Sequence, residues 1–245
     1  MIKEITSLTN PYIKNLEKLY DKKVRDSENQ YLIEGYHLIK EAINANVLEK
    51  VLITKIDDEI EDIENILVPY EIIKKLSKTK TPQGILGVCR IKESNEQLGD
   101  KILLLDDIND PGNLGTLIRS ALGFNFKDII ISNNTVDVYN DKVIRSSQGA
   151  HFKVNIIRRD LMSVIKELTA KNYMVIGTLD SKTDLQDIKS KNKYAVILGN
   201  EANGISPEIL DQTDVNVRIG MNEKLESLNV SVAGSIIMYY LNELK

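Results

Sequence analysis

The chain has 245 residues, 42% of them apolar, enough for one large or two modest domains with a sizeable core. A net charge of −4 argues against gross electrostatic binding to nucleic acid but leaves room for a local basic patch. The single cysteine, Cys89, rules out an internal disulfide framework and fits a reducing compartment, and two histidines far apart, His37 and His151, cannot build a His/Cys metal cluster.

The opening MIKEITSLTNPYIK is charged and lacks an apolar core of signal-peptide length. No apolar run approaches the roughly 20 residues of a membrane helix. The expectation is a soluble cytoplasmic protein with no membrane segment and no metal. Asn10-Pro11 starts a predicted helix that runs to about Val24. YLIEG (31–35) reads as a strand, YHLIKEAINAN (36–46) as a helix and VLEKVLIT (47–54) as a strand. DDEIEDIEN (57–65) reads as an acidic loop. PYEIIKKLSK (69–78) is predicted helical, with Pro69 suited to the first turn, and TPQGILGVCRI (81–91) returns as a strand that holds Cys89 as an inert core thiol. This alternation predicts a small α/β domain over residues 1–95. The polar stretch RIKESNEQLGDK (90–101) marks a boundary.

The second domain, 100–245, is richer in strands: KILLLD, DIIIS, FKVNII, YMVIGT, YAVIL and DVNVRI. Their consecutive Val/Ile/Leu runs predict strands covered on both faces, hence a mostly parallel sheet. Ligands of such sheets bind beyond the carboxyl ends of the strands. Three segments leave strands there. In DDINDPGNLGTLIRSALGF (106–124), Leu114, Leu117, Ile118, Ala121 and Leu122 form the buried stripe of a helix, with Arg119 beside it. In YAVILGNEANGIS (194–206), Gly199 and Gly204 have the spacing of a phosphate-binding loop, but Ile205 stands where the lysine would be. No GxGxxG opens a helix, which argues against an ordinary dinucleotide site. The third segment, VRIGMNEKLESLNVSVAGSIIMYYL (217–241), leads from Leu228 into a helix apolar on nearly every side, which predicts burial. Ser231, Gly234 and Ser235 would let another backbone approach it. The polar run Glu226-Ser227-Leu228-Asn229 at its mouth needs partners or a ligand.

Together the three segments resemble the motifs of the SpoU, or TrmH-like, RNA 2'-O-ribose methyltransferases of the SPOUT class. The DPxNxGxxxRxA pattern is matched by Asp110, Pro111, Asn113, Gly115, Arg119 and Ala121. LGxExxG is matched by Leu198, Gly199, Glu201 and Gly204. The third pattern, IPMxGxxxSLNVSVA, is matched by Ile219, Met221 and Ser227 through Ala233, with Gly220 in place of its proline and Glu223 in place of its glycine. Those two departures imply a more mobile third loop. YLIEGYHLIKEA (31–42) and TPQGILGV (81–88) resemble the L30e-like substrate-binding domain found in front of such enzymes, and SSQGA (146–150) resembles a further family segment.

The resemblance implies an α/β fold with a deep trefoil knot in the C-terminal SPOUT domain. S-adenosylmethionine would be held by Leu198, Gly199, Ile219, Met221 and Leu228, largely through backbone groups. Asn113, Arg119, Glu201, Ser227 and Asn229 would carry catalysis. Arg119 would lie beside the target ribose, as general base or as a charged group that holds the ribose or its phosphate and stabilises the alkoxide, Asn113 would orient Arg119 or the ribose or cap its helix, and Glu201 would anchor the arginine or a neighbouring loop. The partner would be structured RNA, ribosomal RNA ahead of transfer RNA, and the enzyme a homodimer with its site near the other subunit. A transfer-RNA enzyme and an RNA-binding module without catalysis are the alternatives. Lys14, Lys18, Lys22, Lys23 and Arg25, with Lys74, Lys75, Lys78 and Lys80, are expected to meet RNA phosphates or to form solvated helix faces.

Overall fold

A computed structural model describes residues 2–222 and 224–244, with the backbone alone at Asp180 and Lys182. Glu223, one of the two motif departures, lies outside the described residues. The chain divides into two compact units, one of residues 1–93 with 139–152, the other of residues 94–138 with 153–245.

The first unit runs β1 (Lys3–Glu4), α1 (Pro11–Lys18), α2 (Lys22–Glu28), β2 (Gln30–Glu34), α3 (Tyr36–Asn44), β3 (Leu48–Ile53), β4 (Glu64–Leu67), α4 (Tyr70–Leu76) and β5 (Ile85–Arg90). Its sheet has the order β1-β4-β3-β5-β2, with β5 antiparallel to both neighbours. Period-two alternation splits β3 between two cores. Leu52 packs with Ile13, Leu16, Ile66 and Ile72 on one face, and Val51 and Ile53 pack with Leu38, Ile39 and Cys89 on the other. Burial pushes the Cys89 thiol up, in keeping with an inert core thiol.

The helix predicted from Pro11 to Val24 is broken. α1 ends at Lys18, and Asp21 caps a second helix by accepting from the Lys23 amide at 2.7 Å. An aspartate has a better use at an N-cap than inside a helix. β4 begins inside the predicted acidic loop, because Asn65 folds that loop back. Its amide donates to the Ile60 and Ile63 carbonyls at 2.7 Å each. Residues 139–152 close the second core. Ile144 and Phe152 join it, and buried His151 sits between Tyr31 Oη (3.3 Å) and Ser147 Oγ (3.0 Å). Without charge partners, burial pushes that imidazole down to about 3.

The second unit contains β6 (Lys101–Leu105), α5 (Pro111–Gly123) and β7 (Asp128–Ile131). The chain then supplies α6 (Asp141–Ser147) to the first unit and returns as β8 (Asn155–Arg158), α7 (Leu161–Ala170), β9 (Met174–Asp184), β10 (Tyr194–Leu198), α8 (Pro207–Leu210), β11 (Val215–Arg218) and α9 (Val230–Glu243). Six strands in the order β11-β9-β10-β6-β7-β8 form a wholly parallel sheet. Ile102 through Leu105 and Ala195 through Ile197 are fully buried, as strands covered on both faces must be.

α9 departs from the expected all-round burial. Val232 (47%), Ile236 (38%) and Tyr239 (55%) form an exposed stripe along one side. Its small-residue face does meet a neighbour. A Cβ on Gly234 would lie 2.4 Å from Leu198 Cδ1 and 2.6 Å from Leu117 Cδ2, and Ser235 Oγ is 2.7 Å from Ser120 Oγ on α5.

Candidate active site

The carboxyl ends of β6 and β10 carry the first two motif loops, and the segment after β11 carries the third. Asp110 caps α5, accepting from the Asn113 amide at 2.9 Å. Asn113 is therefore inside the helix, and its side chain is free for other work. Its Nδ2 donates to Glu201 at 2.9 Å, and its Oδ1 accepts from Asn229 Nδ2 at 3.0 Å. Asn229 caps α9, its Oδ1 accepting from Ser231 N (2.9 Å) and Ser231 Oγ (2.6 Å). One hydrogen-bond chain, Glu201–Asn113–Asn229–Ser231, thus joins all three loops. Its polarity is set at both ends, by a carboxylate that only accepts and by a backbone amide that only donates.

Glu201 also accepts from the amides of Asn109 and Asp110, each at 3.2 Å. Burial alone would raise its carboxyl. The hydrogen bonds from Asn113 and from the backbone amides of Glu201, Asn109 and Asp110 outweigh burial and hold it below the usual carboxylate value. Glu201 anchors the first loop, one of the two roles expected of it. Arg119 stands apart. It is exposed on α5 and makes no hydrogen bond or ion pair among the described residues.

The second loop is tight by construction. Asn200 N donates to the Gly204 carbonyl (2.8 Å) and Gly204 N to the Asn200 carbonyl (2.9 Å), with Gly204 at φ +69°. A Cβ on Gly199 would fall 2.1 Å from Gly204 C and Ile205 N, so only glycine closes this turn.

A cavity of about 940 Å³ opens beside the chain of hydrogen bonds. Leu198, Gly199, Ile219, Met221 and Leu228 all line it, with Glu201, Ser227 and Asn229; Asn113 and Arg119 do not. Ser227 is exposed and makes no hydrogen bond among the described residues. Sequence reasoning missed Thr178, Leu179 and Leu225 on the wall. Thr178 and Leu179 sit where β9 passes the neighbouring strand end, a position that could have drawn attention to them. Leu179 (47%), Met221 (42%) and Leu225 (49%) are large apolar side chains left exposed here. A volume in the usual range for small-molecule sites and a lining that mixes polar and apolar groups suit a nucleoside-bearing ligand such as S-adenosylmethionine.

In the first unit, Arg25 leaves the expected basic group. It is buried and donates to the Leu19 carbonyl at 2.8 Å. Lys22 pairs with Asp26 at 2.5 Å and Lys75 with Glu17 at 3.1 Å, while Lys14, Lys18, Lys23, Lys74, Lys78 and Lys80 are exposed. Among the described residues no acidic, histidine or cysteine group could hold a metal, and no helix is long and apolar enough to cross a membrane.

Comparison with known proteins bears on both units. The SpoU rRNA methylase family matches residues 100–239, and the MRM3-like substrate binding domain matches residues 10–87. The 23S rRNA (guanosine(2553)-2'-O)-methyltransferase RlmP of Bacillus subtilis is 36% identical over 98% of this chain and 99% of that protein. The mitochondrial rRNA methyltransferase 3 of Xenopus laevis is 32% identical over 72% of this chain and 45% of its own length. An AdoMet-bound rRNA methyltransferase from Sinorhizobium meliloti has a similar structure, with a TM-score of 0.89 at 26% identity over 98% of this chain and 97% of that one.

Proposed function

The chain belongs to the SpoU rRNA methylase family, and from that premise we propose that it moves a methyl group from S-adenosylmethionine to a ribose 2'-hydroxyl of ribosomal RNA. The observation that carries this reading is the convergence of the three motif loops, through Glu201, Asn113 and Asn229, at the rim of one cavity. The match to a full-length relative named for 23S rRNA supports the substrate class. The match of residues 10–87 to a substrate-binding domain supports RNA contact by the first unit, through its exposed lysines.

S-adenosylmethionine supplies a methyl group already activated on a sulfonium. The protein's share is to align the acceptor oxygen, to exclude water and to handle charge, and alignment alone can contribute about 7–11 kcal/mol. Leu198, Gly199, Ile219, Met221 and Leu228 hold the cofactor. Ser227 and Asn229 sit on the same wall, where Asn229 holds the mouth of α9 and Ser227 is placed to meet the acceptor hydroxyl. The oxygen–methyl bond forms as the methyl–sulfur bond breaks, the neutral thioether leaves and the 2'-hydroxyl proton passes out to solvent; a guanidinium keeps its charge at working pH, so Arg119 acts as a clamp on the ribose or its phosphate and stabilises the negative charge developing on the oxygen. Asn113 and Glu201 fix the loop that carries Arg119's helix.

The exposed stripe Val232, Ile236 and Tyr239, continued by Phe124 with its ring 5.7 Å from Tyr239, supports a homodimer through α5 and α9. Arg119 lies on one of those two helices, so a partner covering them would enclose it. The deep C-terminal knot belongs to the same reading. The chain leaves the edge strand β11 and returns to pack α9 against α5 and the interior strand β10, a return that a knotted tail requires.

The test is methyl transfer from tritiated S-adenosylmethionine to ribosomal RNA from a strain lacking the gene, with calorimetry of cofactor binding alongside. Arg119→Ala is expected to lower transfer by about 10²–10³-fold while cofactor binding is kept. Near-normal turnover would remove Arg119 from the chemistry. Label appearing in transfer RNA alone would reassign the substrate.

A further inference from the structure

We propose that Asp107, which none of the three motifs includes, is a positioning residue for the transfer reaction: it fixes the turn out of β6 that brings Asn109, Asp110 and Asn113 to Glu201. The inference rests on the reading above and adds a residue to it.

Asp107 adopts φ +55°, a region that L side chains rarely occupy and that Asp and Asn tolerate best after glycine. Its Oδ1 accepts from Ser132 Oγ at 2.6 Å and its Oδ2 from Asn134 Nδ2 at 3.1 Å. Its amide donates to Ser132 Oγ at 2.9 Å, and its carbonyl accepts from Asn200 Nδ2 at 2.8 Å. One residue therefore ties the ends of three adjacent strands, β7, β6 and β10.

Both anchors are rigid. Arg158 donates to the carbonyls of Ser132 (2.6 Å), Asn133 (2.9 Å), Thr135 (2.8 Å) and Val136 (3.2 Å). On the other side Asn200 Oδ1 accepts from the amides of Ala202 (2.9 Å) and Asn203 (3.1 Å), which shapes the turn that presents Glu201. Two and three residues beyond Asp107, the amides of Asn109 and Asp110 donate to that same Glu201. The ring closes: Asp107 reaches Glu201 forward along its own chain and sideways through Asn200. The nearby carboxylates do not read as a cation site. Asp106 is occupied by Ser206 N and Oγ (2.8 Å each), Asp110 by the Asn113 amide, and Asp107 by Ser132 and Asn134.

The donor–acceptor pattern supplies its own test. Asp107→Asn keeps an acceptor for Ser132 Oγ and leaves an amide that Asn134 meets by turning its own amide over, so it is the mild variant; Asn134→Asp sets two carboxylates face to face. The double variant restores one donor and one acceptor with the roles exchanged. Steady-state transfer to ribosomal RNA should show kcat about tenfold lower or worse in Asn134→Asp, with the cofactor dissociation constant within about twofold of wild type, since misplacing a loop by an ångström costs up to about 10²-fold in rate. The double variant should recover to within about threefold of wild type, the signature of direct coupling. Carbon NMR titration of the Glu201 carboxyl gives a readout independent of activity. It should move up toward the ordinary carboxylate value in Asn134→Asp and return in the double. Wild-type kcat in Asn134→Asp, or a double variant no better than Asn134→Asp alone, overturns the assignment. Transfer absent from the wild-type chain would sink the methyltransferase reading instead, and the Glu201 titration would still decide the role of Asp107.

Discussion

The two loops that wall the cavity are built in opposite ways. Residues 199–206 are tied down throughout: the Asn200–Gly204 bridge is closed in both directions, Glu201 accepts from Asn113, Asn109 and Asp110, and Ser206 is bound to Asp106. In residues 219–228 the described residues offer little beyond Asn222, whose Oδ1 and carbonyl accept from the Lys224 and Leu225 amides at 3.0 Å each, and Met221 and Leu225 stand exposed. One wall is preorganised by polar bonds. The other presents apolar side chains that stay exposed in the free chain. Building a rigid wall first removes an ordering cost from binding, and leaving the second wall open lets the cofactor enter.

The largest effect should come from breaking the rigid wall. Gly199→Ala forces a Cβ into the backbone of Gly204 and Ile205, with contacts of 2.1 Å that no side-chain adjustment relieves. Overpacking of this kind costs about 1–3 kcal/mol or more. Cofactor binding should vanish from calorimetry, and the melting temperature should fall by several degrees. A variant that still binds normally would show that the second loop is not the preorganised wall.

The open wall should respond differently. Met221→Ala removes a side chain that is exposed in the free protein and that a cofactor bound in the cavity would cover. Burying a methionine is worth about 1.5–3 kcal/mol, so cofactor affinity should drop by about tenfold or more. The melting temperature of the free protein should hardly move. A large loss of free-protein stability would mean that Met221 is already packed, and the contrast between the walls would collapse.

The smallest effect concerns acid. The Glu201 carboxyl is held below its ordinary value of 4.5 by the hydrogen bonds that join the rigid wall to the first loop. A carboxyl lower in the folded than in the unfolded chain adds stability above about pH 4.5 and loses it as pH falls through its folded value. Melting temperature against pH should therefore bend downward below pH 4.5, and Glu201→Gln should flatten part of that bend by lowering the melting temperature slightly at pH 7 while changing little in acid. Because Glu201 is exposed, the bend should be shallow. An unaltered curve would mean that the carboxylate does not hold the loops together.

What could be read before the structure follows the same division. Parallel strands announce themselves as apolar runs, so β6, β7 and β10 and their role in a parallel sheet were legible from KILLLD, DIIIS and YAVIL. β4 was hidden, because its burial depends on Asn65 folding back an acidic loop, a tertiary bond with no local signature. Asp21 concealed the break between α1 and α2 for a related reason: a single capping side chain outweighs helical periodicity on both sides. Full burial of α9 was the wrong expectation, because an apolar circumference does not say which faces meet this chain. Cavity-lining residues in the motifs were legible through their pattern. Leu179 was not, since an apolar residue late in a strand looks like core until its neighbours are known. Asp107 was equally silent. Its φ of +55° and its partners 25, 27 and 93 residues away exist only in the folded chain.

The most direct measurement is where the transferred methyl resides. Ribosomal RNA from a strain lacking the gene would be labelled with the enzyme and tritiated S-adenosylmethionine, then hydrolysed in alkali, which cannot cleave next to a methylated 2'-oxygen. Tritium in alkali-resistant dinucleotides is the predicted result, lowered by about 10²–10³-fold in Arg119→Ala. Tritium in mononucleotides would put the methyl on a base and contradict ribose transfer; no label at all would contradict the methyltransferase reading.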